Sequence, residues 1–174
     1  MEKLYSDIVG TPVFEDDANR PFASVKGVIL DPEMRGKLIA FLVNVARRRI
    51  ISPVDVLSWG NVMKVHSAGD VTDAVNVLRV DEVLKGGVKF FGAHVETEKG
   101  EKLGKVFDLG IDNKTFDLRR IFVAKSFFGI FRHDNRIISA KDIVEVLPDK
   151  IVVKDGLGTV KEEVKGVAKD MAEA

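Results

Sequence analysis

The chain has no cysteine, a single tryptophan, a single tyrosine, no net charge and no long apolar run. Without thiols there can be no disulfide staple, no cysteine nucleophile and no cysteine-ligated zinc. Lys plus Arg and Asp plus Glu number 27 each, so no global field draws in nucleic acid or an anionic membrane. The longest apolar runs, such as Leu38 to Val43, fall far short of the roughly 20 residues that span a bilayer. Met1-Glu2-Lys3-Leu4-Tyr5-Ser6-Asp7 lacks the apolar centre of a secretory signal. Together these absences predict a cytoplasmic protein, in which the sequon Asn113-Lys114-Thr115 marks only a turn.

What is present is an internal echo. Arg49-Ile50-Ile51-Ser52-Pro53-Val54-Asp55-Val56 returns as Arg136-Ile137-Ile138-Ser139-Ala140-Lys141-Asp142-Ile143. Gly10 and Val13 fall opposite Gly92 and Val95, Asp31 opposite Asp112, and Val43 opposite Val123. The offset then jumps, which places an insertion between Val123 and Arg136 that holds Phe127, Phe128, Ile130 and Phe131. A repeat of this length predicts two small units that gain by packing on each other.

Runs rich in Val, Ile and Phe, cut by Gly, Pro, Asn and Asp, read as short strands and tight turns. They lie at Val25 to Leu30, Leu38 to Val45, Phe90 to Glu96, Lys105 to Ile111, Leu118 to Val123 and Lys150 to Lys154. Between the units, Val71, Ala74, Val75, Leu78, Val83 and Leu84 approximate helical spacing and end at Gly86-Gly87. After Gly156-Leu157-Gly158, Thr159 and Glu162 form a capping box, and Val160, Val164, Val167 and Met171 make one apolar stripe.

Leu103-Gly104-Lys105-Val106-Phe107-Asp108, Ile111-Asp112, and Arg136 through Val144 resemble the PRC-barrel family, and tandem proteins of archaeal type in particular. That family includes the cytoplasmic domain of the reaction-centre H subunit and the carboxyl-terminal domain of the bacterial ribosome maturation factor M. The resemblance implies a mainly β fold of two tandem PRC-type barrels, with a short helical connector and a C-terminal amphipathic helix. The expected division is a first barrel over 1–69, a partly helical connector over 70–87, a second barrel over 88–155 and a helical tail over 156–174. It also implies a docking module that binds other proteins, with no motif position used for chemistry. Gly104 suits a tight backbone approach, but Ala23 stands in its place in the first unit, so a positive φ is not expected there. Asp55 and Asp142 are expected to accept backbone N–H bonds at the turn into the next strand.

The expected partner surface is the insertion Ala124 to Asn135, where Phe127, Phe128 and Phe131 stand beside Arg132, with Arg136 close by. Arg47, Arg48 and Arg49 hold the corresponding place in the first unit. They are candidates for anion or RNA contact, against which the neutral total argues. His66, His94 and His133 are scattered, and Arg119 sits where a calcium loop opened by Asp108 would need its closing Glu, so no metal is expected. No nucleotide loop follows Gly156-Leu157-Gly158, Asp16 and Asp17 have no acid–base partner, and no cofactor is expected. Trp59 is expected to seal a barrel end or the contact between barrels. The reading is a non-enzymatic adaptor for a protein partner or a second copy of itself, with cell division as the implied process. The alternative is an accessory factor in ribosome or RNA maturation.

Overall fold

Short apolar runs bounded by turn formers become short strands, and the chain pairs them into three sheets. The computed structural model describes residues 1–127 and 131–157, with side chains described for 1–125 and 135–157. The first half contains β1 (Glu2–Leu4), α1 (Tyr5–Ile8), β2 (Pro12–Glu15), β3 (Ala23–Ser24), β4 (Gly27–Asp31), β5 (Lys37–Asn44), β6 (Arg49–Ile51), β7 (Val56–Trp59) and β8 (Met63–Val65). β9 (Thr72–Asp73) and α2 (Leu78–Gly86) connect it to the second half. There follow β10 (His94–Thr97), β11 (Lys102–Asp112), β12 (Leu118–Phe127), β13 (Phe131–Ser139), β14 (Ile143–Val146) and β15 (Lys150–Val153).

The expectation of two closed barrels is overturned. The sheets run β3-β2-β8-β7, β4-β5-β6-β9, and β13-β12-β11-β10-β15-β14 with β1 added on β11. None of them closes on itself. In the first half a break at Val25-Lys26, between β3 and β4, splits the strands into two sheets. In the second half β11 runs through unbroken, yet the end strands β13 and β14 do not pair. A short 3₁₀ turn, Ala140–Asp142, carries the chain between them, and β14 is only four residues long.

The halves do have pairings in common. β2 pairs parallel with β8 through Val13↔Met63, and β10 pairs parallel with β15 through Val95↔Ile151. Gly10 N–H donates to Val25 O at 2.8 Å, as Gly92 N–H donates to Val106 O at 2.9 Å. Asp31 accepts from the N–H groups of Glu33 and Met34, and Asp112 accepts from those of Lys114 and Thr115, so each carboxylate closes the turn after its strand.

One hydrophobic cluster runs through both halves, including Phe41, Leu38 and Trp59 from the first and Leu103, Ile111, Ile121 and Val153 from the second. Trp59 stacks on Phe116 at 5.9 Å and meets Phe41 edge-on at 4.9 Å. It therefore lies at the junction of the halves. A smaller cluster, Ile29, Ala40, Ile50, Ala74, Val80 and Val83, packs α2 on the outer face of the β4-β5-β6-β9 sheet.

The connector is helical over a shorter stretch than its spacing predicts. Thr72–Asp73 pairs with β6, so residues 71–77 form a short strand and a 3₁₀ turn, and the helix begins only at Leu78. Asp81 and Lys85 pair across one turn at 2.6 Å, and Gly87 ends the helix at φ 69°. No helix among the described residues is long and apolar enough to cross a membrane. The expected tail helix lies outside the described residues.

Candidate functional site

The insertion read from the sequence is a hairpin that outgrows its counterpart. In the first half the β5–β6 ladder stops at Asn44↔Arg49. In the second half β12 and β13 continue past Val123↔Arg136 and Ala124↔Asn135 to Lys125↔His133, Ser126↔Arg132 and Phe127↔Phe131. A bulge at Ala124/Lys125 marks where the extension starts. Phe128 lies outside the described residues, as do the side chains of Phe127, Phe131 and Arg132. Among the described residues the outer edge of β13 carries no strand.

The extension explains Gly104, whose φ of 129° corrects the expectation from Ala23. A side chain here would collide with the carbonyl of Ala124 at the bulge. In the first half β5 ends at Asn44, and β3 has no such neighbour.

Arg49 and Arg136 occupy matching places with different surroundings. Arg49 Nη2 donates to Val71 O at 2.8 Å, and its Nε lies 3.3 Å from an Asp73 carboxylate oxygen. The Arg136 side chain is 17% exposed and 3.8 Å from Glu101, and its Nε, like that of Arg49, has no hydrogen-bond partner among the described residues. Arg47 and Arg48 are exposed at the β5–β6 turn, where Asn44 Oδ1 accepts from Arg47 N–H.

Beside that turn lies an open cleft of about 710 Å³, lined by Phe22, Ser24, Lys26, Asn44, Arg47 and Arg49 among others. Among the described residues no carboxylate lines it. Arg48 is exposed beside it, at the same turn.

Several polar contacts escaped the sequence reading because they join residues far apart. Arg79 binds the fully buried Asp31 through two contacts of 2.6 Å and also reaches Glu33 and Glu82. Hydrogen bonding from Arg79 holds the Asp31 carboxyl below the usual carboxylate range, with the turn N–H groups adding to it against burial. The Asp112 carboxyl is likewise held below the usual carboxylate range, first by the N–H groups of Thr115 and Lys114 and then by Arg119. Arg120 grips Glu2, and the Ser6 hydroxyl donates to Asp108 at 2.7 Å, so both fix the amino-terminal segment on β11 and β12. Burial, with the Asp108 charge behind it, pushes the Tyr5 phenol up.

Other residues take structural roles. Asp142 accepts from the Lys154 ammonium at 3.3 Å, and the Asp142–Lys154 contact replaces the expected turn N–H bond. Ser139 caps that turn by accepting from Lys141 N–H. Asp16 pairs with Lys64 at 3.6 Å. Among the described residues no group of three His, Asp or Glu side chains is placed to hold a metal ion.

Residues 84–160 match the PRC-barrel domain. The match begins inside α2, spans the whole β12–β13 hairpin and covers one domain in the second half, so it lends the tandem arrangement no support. The sheet of the matched stretch stays open among the described residues. No curated protein matches the chain.

Proposed function

We propose that the protein is an adaptor without catalytic machinery of its own, which docks a protein partner through the tip of the β12–β13 hairpin. The observation that carries this reading is the hairpin's length, since pairing continues to Phe127↔Phe131 where the first-half counterpart turns at Asn44↔Arg49. Phe127, Phe128, Phe131 and Arg132 are the anchors, because aromatic rings and arginine dominate interface energetics. The PRC-barrel match over 84–160 supports the reading. We divide the chain at 69, 87 and 155, with the second unit carrying the docking tip and a second copy of the chain among the partners. Cell division is the process implied by the family resemblance.

The test is a Phe127→Ser/Phe128→Ser/Phe131→Ser variant of the full chain, with circular dichroism to confirm the fold. Partner affinity is expected to fall at least about tenfold, or about 1.4 kcal/mol. Undiminished capture by the folded variant would remove the hairpin from the account.

One observation favours a second reading, contact with RNA or a ribosomal site during maturation. The cleft beside Arg47 brings Lys26, Arg49 and the Phe22 ring together with no carboxylate in its walls. RNA contact would weaken steeply between about 50 and 200 mM salt, whereas a phenylalanine-anchored protein interface would respond little.

A further inference from the structure

The covering of β6 has no counterpart on β13 among the described residues. β9 pairs with β6 through Arg49↔Asp73 and Ile50↔Thr72, and α2 follows to pack over Leu42 and Ile50, a cross-strand pair. At the matching place on the second-half sheet stand Phe122 and Ile137, also a cross-strand pair and only half-buried. Arg136, beside Ile137, has a mostly buried guanidinium whose ion-pair partner among the described residues is Glu101 at 3.8 Å, whereas Arg49 finds Val71 O at 2.8 Å and the Asp73 carboxylate at 3.3 Å on the covering segment. Among the described residues an unpaired edge, a half-covered apolar pair and a mostly buried cation with one long ion pair coincide.

We propose that the chain's own segment 159–174 is the missing cover. In place of the helix start expected at Thr159, it would add a short strand at Val160 along Arg136–Ile137 and lay the rest of the stripe, Val164, Val167 and Met171, over Phe122 and Ile137. Spacing selects this occupant. Thr72 is the seventh residue after Val65 at the end of β8, and the seventh residue after Val153 at the end of β15 is Val160. Leu157 already packs on the main cluster, so the chain enters 158 held against the body. Length suffices, since residues 158–174 number 17 and Thr72–Gly86 number 15. Chemistry suffices too, because Glu162 and Glu163 offer Arg136 a carboxylate, as Asp73 does for Arg49. This takes Arg136 out of the partner surface and leaves the hairpin tip to the partner, so the inference stands or falls apart from the docking role.

The experiment is hydrogen exchange on the full chain, following peptides over 135–139 and over 94–97 as an internal control. Val160→Pro removes a strand donor. It is expected to speed exchange over 135–139 at least about tenfold, a loss of about 1.4 kcal/mol of protection, with 94–97 unchanged. Glu162→Lys/Glu163→Lys should do the same, and adding Arg136→Glu should restore slow exchange. Unaltered exchange over 135–139 in both the proline and the charge-reversal variants overturns the proposal. So does wild-type protection that disappears on dilution, which would give this edge to a second copy.

Discussion

Arg79 holds Asp31 by two hydrogen bonds of 2.6 Å, Nε to Oδ2 and Nη2 to Oδ1, and so ties α2 to the end of β4. Asp31 is fully buried while Arg79 stays partly exposed, so the carboxylate exchanges water for one guanidinium and two turn N–H groups. Its pKa is lower in the folded chain than the unfolded value of about 4. The stability that this shift contributes is therefore full above about pH 4 and is lost as pH falls through the folded value. Urea midpoints of the wild type and Asp31→Asn should differ at neutral pH and converge in acid. A gap that widened on acidification would contradict the ion pair.

Trp59 stacks on Phe116 across the junction of the halves, and Asn113 Nδ2 donates to its carbonyl at 3.1 Å. Trp59→Ala empties a large buried volume and should cost about 3–5 kcal/mol in urea unfolding followed by circular dichroism. Trp59→Phe keeps an aromatic face and should cost much less. Equal losses for the two would mean that ring packing is not what joins the halves here.

Gly104 meets both a positive φ and the Ala124 carbonyl, whereas Gly92, with φ 79°, has open space around its Cα. Gly92→Ala should cost about 1–2 kcal/mol for the left-handed backbone alone. Gly104→Ala should cost clearly more, since the bulge at Ala124 must shift as well. Similar urea midpoints for the two variants would show that the close approach relaxes without strain.

Residues 1–8 cover part of β11, with Leu4 opposite Gly110, Lys3 opposite Ile111, and Ile8 fully buried. Deleting them should expose backbone at Gly110–Asp112 and speed its hydrogen exchange at least about tenfold while leaving β15 protected. Unchanged protection at 110–112 would mean that β1 lies on the sheet without stabilising it.

Many of the strand positions were legible because Gly, Pro, Asp and Asn punctuate the apolar runs, and the offset jump after Val123 marked the extended hairpin in advance. Two features were not legible. β1 and β9 are three and two residues long, too short to carry a period, and their partners lie far away in sequence. Barrel closure depends on whether β13 meets β14, a relation between edges that no local pattern encodes. Gly104 was misjudged for a similar reason, since its constraint comes from Ala124, and comparison with Ala23 conceals it. At the candidate site, Arg47 and Arg49 line one cleft with Lys26 and Phe22, residues of another segment that no local pattern brings beside them.

Glu2 to Leu4 emerge from the ribosome long before their partners Gly110 to Asp112 exist. During synthesis this strand therefore waits unpaired until more than a hundred further residues have been translated, and closing so long a loop is a slow, late event. A fusion placed directly on Met1 would burden that last step, and a nascent chain stalled before β11 would present an orphan strand to quality control.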